Sequence, residues 1–460
     1  MARSSVIGAI VADMNQDTID TVVADSCLPN RKERKRLLLF LISPQIFDFD
    51  TFLPVAMTLK SAHPEWRVVF VTFSMRNHEF IMSSPTHRSA IDKTGEFVYL
   101  GWDHARTSLG GIALRLRSLL TICGWVLRFA RPVLFLQRPF LRAPYAWWYA
   151  LARLRGGNGY VLWKSRSPDI VHHRLRQVRK EPPPTEISSM VVRLMKRHCD
   201  AFIHFHDEQD ENIEWASSFG HLEGVPRIKI GLPHYLTSWR DHVEREVDRE
   251  RQKLREDGVP KDAELYCMFP AKPHSHETLR KAGSIEEAFG VALRTLCKVR
   301  PKAFVLCRPH PRILNEPYFR ELMADVGEDR ARLCFAHPEV LLAMSRRAIF
   351  NNPSNLMFSA FQGRFIDVSD YPDQHFKDFG DRSLADGFGA IHVNSFAEDF
   401  EGRFAEALDC DDLFDRAGVN ARRDELIKRN PADIRPLLNL LVLPRRRSEP
   451  PRIGTNERGV

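Results

Sequence analysis

The sequence lacks the long apolar run that a membrane-spanning helix needs. In its most basic and aromatic region the longest uncharged stretch, SLLTICGWVL (118–127), falls well short of the ~20 residues required. The N-terminus, MARSSVIGAIVADMNQD, has an apolar run that is short and soon followed by acid, so no secretory signal is read there. The eight cysteines are scattered with no CxxC spacing, which argues against a zinc site and points to reduced thiols in a cytosolic protein. GxxxxGK(S/T) and GxGxxG are both missing, which speaks against a P-loop NTPase and against a nucleotide-dependent dehydrogenase. No internal repeat stands out.

What the 460 residues do carry is ample apolar content, 43%, enough for two or three domains with cores of their own. In the second half the alternation is regular. ELYCMF (264–269), AFVLC (303–307), RLCFA (332–336), AIF (348–350), FIDV (365–368) and AIHV (390–393) read as strands, with amphipathic helices such as IEEAFGVALRTLCKV (285–299) between them. Strands and helices alternating at this spacing predict a parallel, doubly wound sheet. The first half repeats the pattern in outline with LLLFLIS (37–43), RVVFVTF (67–73), EFVYL (96–100), AFIHFH (201–206) and RIKIGL (227–232). The fold class is therefore α/β, with two Rossmann-like domains. The boundaries expected are an N-terminal extension (1–36), a first domain (37–258) with a basic aromatic insertion (104–168), a second domain (259–443) and a disordered basic tail (444–460).

The most informative stretch is AFVLCRPHPR (303–312), a strand running straight into Arg308, Pro309, His310, Pro311 and Arg312. Ligands of open α/β sheets bind beyond the carboxyl ends of the strands, so these cations and imidazole stand where a nucleotide diphosphate would be held. A second turn, AIFNNPSNLMF, places Ser354 as N-cap of a helix with Asn355 beside it, and a helix N-terminus welcomes phosphate oxygens. Ser354 equally reads as a plain cap. Lys272 in KPHSHE and Gln374 and His375 in SDYPDQHF follow other strands of the same sheet and are further donor-site candidates.

A strand ending in (R/K)PHP, followed by a strand, a Ser-containing turn, a helix and a Gly-led strand, resembles the donor half of GT-B glycosyltransferases over roughly 260–410. Within that group the chain is similar to bacterial capsule and surface-polysaccharide enzymes, Kdo- and sialyl-transferase-like proteins and CDP-glycerol glycerophosphotransferases. The resemblance implies two domains facing a cleft, a nucleotide-sugar donor linked to CMP, CDP or UDP, phosphate contacts from His310 and Ser354, and catalysis without an essential metal or other cofactor. DCDD (409–412) follows a helix instead of a strand end and is not read as a metal-binding DxD element. Many relatives pair Ser or Thr at the phosphate turn, whereas here Ser354 precedes Asn355.

Acceptor activation needs a base near the cleft. Strand-exit candidates in the first domain are Asp48 and Asp50, then Asp207 and Glu208, and His234; the 206–208 cluster and His234 are favoured, with His310 as the second domain's catalytic imidazole. Asp207 and Glu208 also read as the acidic first turn of a helix, and His234 as a structural histidine. Between Asp103 and Asp169 there is no acidic residue, while arginines alternate with Trp125, Trp147, Trp148 and Tyr149. That mixture fits an anionic membrane surface; it also fits a core insertion whose arginines face solvent or a phosphate-bearing acceptor. No recognised nucleic-acid module accompanies it, and no nucleic-acid partner is expected. The reading is a cytoplasmic glycosyltransferase, peripheral at the inner face of the cell membrane, with a glycan or lipid-linked acceptor. Alternatives are a CDP-alditol phosphotransferase, a UDP-sugar 2-epimerase-like enzyme and a non-catalytic nucleotide- or partner-binding protein.

Overall fold

The computed structural model describes residues 36–42, 46–101, 109–162 except 138 and 142, 198–205, 224–270, 285–309, 317–350, 364–368, 390–409 and 424–442 except 426. The first series of elements is β1 (Leu37–Ile42), α1 (Ile46–Ala62), β2 (Arg67–Thr72), α2 (Met75–Ser83), α3 (Pro85–Thr94), β3 (Glu96–Tyr99), α4 (Leu109–Arg128), β4 (Val133–Leu136), α5 (Tyr145–Leu154), β5 (Asn158–Leu162), β6 (Ala201–His204) and β7 (Arg227–Lys229). A 3-10 turn (Pro233–Tyr235) and the long helix α6 (Thr237–Glu256) lead to the second series. That series is β8 (Glu264–Phe269), α7 (Ile285–Val299), β9 (Ala303–Cys307), α8 (Pro317–Val326), β10 (Ala331–Leu333), α9 (Pro338–Met344), β11 (Arg347–Phe350), β12 (Phe365–Asp367), β13 (Ala390–His392), α10 (Phe400–Asp409) and α11 (Arg435–Val442).

The strands form two wholly parallel sheets, ordered β3-β2-β1-β4-β5-β6-β7 and β10-β9-β8-β11-β12-β13. Strands covered by helices on both faces need apolar side chains on both, and β1, LLLFLI, is buried along its whole length. Its Phe40 stacks on Phe135 of β4 with centroids 4.4 Å apart. The α/β, two-sheet architecture expected from the sequence is the one observed.

One core cluster runs through the facing sides of both sheets, joining Phe40, Leu53 and Trp239 to Leu306, Leu341 and Phe350. The outer face of the first sheet is covered by α4 and α5 through Ile122, Val126, Trp148 and Tyr149. That finding changes the reading of 104–168. The segment is no insertion on a finished sheet, because it supplies β4 and β5 from the middle of it. Both strands are four or five residues long and flanked by Arg131, Arg155 and glycines, so their apolar runs are too brief to register against the surrounding charge.

The chain's last described helix returns to the first sheet. The Asp433 N–H donates to the Ile230 carbonyl at 2.9 Å, and Arg36 donates to the Leu441 carbonyl. The close approach depends on Gly231, which sits at φ +69°, and a Cβ there would lie 2.1 Å from the Pro431 carbonyl oxygen. Only glycine meets both demands.

Candidate functional site at the strand exits

In an open α/β sheet the ligand crevice opens where the strand order reverses, between β1 and β4 in the first sheet and between β8 and β11 in the second. The residues that follow β8 and β11 include Lys272, Ser354 and Asn355, which lie outside the described residues. At the first sheet's reversal stands Gln137, directly after β4 and continuing the Val133, Phe135 alternation that faces the shared core. It is 3% exposed, yet neither its amide nitrogen nor its oxygen has a hydrogen-bond partner among the described residues. A buried amide with both ends unpaired costs stability unless something binds there. Sequence reasoning passed over this residue, since a glutamine after a four-residue strand carries no pattern.

The second feature is a buried polar cluster drawn from both halves of the chain. Ser84 caps α3 with Pro85 at its first position, which aims His87 from the opening turn. Asp50 comes from the second turn of α1, and His337 from the N-cap of α9, where its side chain accepts the Glu339 N–H at 3.2 Å. Asp50 Oδ1 lies 2.8 Å from His87 Nε2 and 3.6 Å from His337 Nε2. Burial alone would raise the Asp50 pKa; the polar contacts from His337 and His87 outweigh it and hold the carboxyl well below its ordinary range. Burial pushes the pKa of His87 down despite that carboxylate, with His337 and Arg308 pushing the same way. The result is an ionised Asp50 that accepts the Nε2–H of a neutral His87. The His87 Nδ1 lone pair has no partner among the described residues.

Next to this pair, His234 Nδ1 lies 2.6 Å from Glu339 Oε1, and the Trp239 indole N–H donates to Glu339 Oε2 at 2.7 Å. Thr86 makes two contacts, accepting the His337 N–H at Oγ1 and the His242 Nε2–H at its carbonyl, each at 3.1 Å. Burial lowers the pKa of His242 to about 4. Thus α1 and α3 of the first series, α6, and α9 of the second are tied by hydrogen bonds in a region closed to water. His234 is 1% exposed within it.

Arg308 begins the exit from β9, its backbone N–H donating to Met268 O at 2.8 Å. Its guanidinium lies over the Phe80 ring of α2, 5.3 Å from the centroid. It thus spans from the second sheet to the first. Burial lowers its pKa to about 10, with Asp50 acting in the opposite sense, so it remains a cation at neutral pH. Its Nε has no partner among the described residues. Of the residues expected to hold the donor or drive catalysis, Arg308 and His234 are placed; His310, Arg312, Asp207, Glu208, Gln374 and His375 lie outside the described residues.

Asp50, His87 and His337 offer one ligand atom each within 4.8 Å of one another, a spacing a divalent ion would accept. The tautomer argues otherwise. Because His337 Nδ1 accepts the Glu339 N–H, the proton of the neutral ring sits on Nε2, the atom that would have to bind the ion. Metal-binding imidazoles normally donate from their second nitrogen, the reverse of this arrangement. The cluster suits holding protons better than holding a cation.

No protein-family model matches the chain, and no curated protein matches it in sequence. Among solved structures it is similar to UDP-GlcNAc 2-epimerase from Neisseria meningitidis bound to UDP-GlcNAc, with a TM-score of 0.51, 12% identity, and coverage of 86% of this chain and 98% of that one. It is also similar to the wall teichoic acid polymerase TagF, with a TM-score of 0.50, 13% identity, and coverage of 89% and 88%. Identity this low speaks to the fold alone. The likeness shows the GT-B arrangement of two Rossmann-like domains.

Proposed function

We propose that the chain is a glycosyltransferase that moves a sugar from a nucleotide-activated donor to a surface polysaccharide or lipid-linked glycan at the inner face of the cell membrane. The observation that carries this reading is Arg308: a cation at the exit of β9, reaching from the second sheet to the Phe80 ring of the first half, with a guanidinium N–H that has no partner among the described residues. A charge so placed stabilises the negative charge that builds on a departing phosphate. His310, Arg312, Lys272, Ser354 and Asn355 complete the donor side, with Gln374 and His375 toward the base or sugar.

On the acceptor side the base comes from Asp207, Glu208 or His234, or from His87, whose imidazole is oriented by Asp50 in the manner of a carboxylate-held base. His234 and His87 are each 1% exposed, so either would act only once the two halves part around the substrate.

The test is a thermal-shift panel with CMP, CDP, UDP, GDP and ADP on the wild-type chain and on Arg308→Gln. A nucleotide at ~100 times its Kd adds roughly 2.7 kcal/mol to the native state, and that gain should shrink in the variant. No response to any nucleotide would sink the reading. Turnover of the matching nucleotide sugar in the absence of acceptor would assign an epimerase instead.

A further inference from the structure

The helix α4 is amphipathic in an uncommon way. Its Ser118, Ile122 and Val126 face the first sheet's outer core, while Ile112, Leu116, Leu120 and Leu127 recur at four- and seven-residue spacings on the other side, each half or more exposed. Gly124 lies beside that stripe with nothing within 4 Å of where a Cβ would stand. Arg117 and Arg128, three turns apart and both exposed, line its border. The neighbouring helix α5 repeats the arrangement. Trp147 and Leu154 stand on its outward face, Trp147 at 45% and Leu154 at 83% exposure.

Two adjacent helices thus present leucines and a tryptophan to solvent, bordered by cations. There is no acidic residue from 104 to 168 to offset them. A stripe of this size left in water is unfavourable, and large exposed apolar patches mark interaction sites. Its chemistry selects the occupant. Leucines bury in the acyl boundary, tryptophan prefers the headgroup level, and exposed arginines are drawn to anionic lipid; Arg153 of α5 is taken up by Asp200, so Arg117 and Arg128 carry that attraction.

We infer that the outer face of α4 and α5 docks on an anionic bilayer, lying in the interface without crossing it. No described helix is long and apolar enough to cross a membrane. Since α4 follows β3, its Ile112 end lies on the side where the strands exit toward the ligand crevices. Docking brings that rim to the lipid surface, which suits a lipid-linked acceptor. This consequence rests on the transferase reading; the docking itself does not.

The experiment is co-sedimentation of the full chain with vesicles of phosphatidylcholine alone and with vesicles of phosphatidylcholine mixed with phosphatidylglycerol. Binding is expected to the anionic vesicles, weakening as salt rises. Leu116→Glu with Leu120→Glu should abolish it. Arg117→Gln with Arg128→Gln should lower partitioning about fivefold per arginine, the equivalent of ~1 kcal/mol each near the surface. Both pairs are exposed, so melting temperature and any nucleotide-induced shift should stay at the wild-type value, which separates failure of docking from failure of the transferase reading. The proposal is overturned if the wild-type chain ignores anionic vesicles at low salt, or if the leucine variant still sediments with them. It is equally overturned if the leucine substitutions only convert a dimer to a monomer while neither form binds vesicles.

Discussion

Replacing Gln137 by Met tests what its unpaired amide is for. Met has a similar volume and no strong hydrogen-bonding atom, so packing changes little while the buried polar atoms disappear. An unsatisfied buried polar group costs about 1–3 kcal/mol, and Gln137 at 3% exposure has no partner for either end of its amide among the described residues. The substitution should therefore stabilise the chain by about 1–3 kcal/mol, raising the urea midpoint without changing the slope. Activity should move the other way. If the amide binds acceptor at the first sheet's crevice, losing one neutral hydrogen bond of about 0.5–1.5 kcal/mol lowers kcat/KM for the acceptor roughly 2- to 12-fold and leaves nucleotide binding unchanged. A lower urea midpoint would overturn this account. It would mean that the amide is satisfied in the native protein, by ordered water for instance, and is not waiting for a ligand.

Asp50→Ala should destabilise the fold by about 1–3 kcal/mol, because the His87 N–H then has no acceptor in a buried site, whereas Asp50→Asn keeps an acceptor oxygen and should cost less; urea titration of the two variants orders them. Acid should weaken the chain in two stages. His242 has a native pKa lowered to about 4, so the unfolded state takes up its proton first and stability falls as pH drops from about 6.5 toward 4, by up to about 3 kcal/mol. Asp50, held below its ordinary value, adds a further loss as pH passes down through the unfolded carboxylate range. His242→Gln should shrink the first stage without abolishing it, since burial also lowers the pKa of His87; a variant profile with the first stage at full size would assign that stage to His87 alone. Gly231→Ala should cost more than 1 kcal/mol through the Pro431 clash and the positive φ, and should loosen α11, read as faster amide exchange in 435–442.

The parallel two-sheet fold was legible because buried parallel strands must be apolar on both faces, and runs such as LLLFLI, RVVFVT and AFVLC state that directly. The helix α7 was legible as well, because the amphipathic run IEEAFGVALRTLCKV states its own span. β4 and β5 were not, because a four-residue strand between arginines gives no periodicity to count, and its identity is decided by pairing with β1 on one side and β6 on the other. The placement of Arg308 at a strand exit was likewise readable, since a strand followed by a cation is a local statement. The buried cluster was not. Asp50 stood among the strand-exit candidates, but His87 and His337 lie far from it in the chain, and each of these alone looks like an ordinary polar residue near a helix start. The alternation of strands and helices, the basic and aromatic character of 104–168 and the cation after β9 are all properties of neighbouring residues, and could be read along the chain. It took the packing of the whole fold to bury Gln137 with no partner among the described residues, to lay one carboxylate beside two imidazoles from opposite halves of the chain, and to turn a leucine stripe of α4 outward. Those outcomes depend on which faces the packed core has already covered, and that is a property of the whole fold.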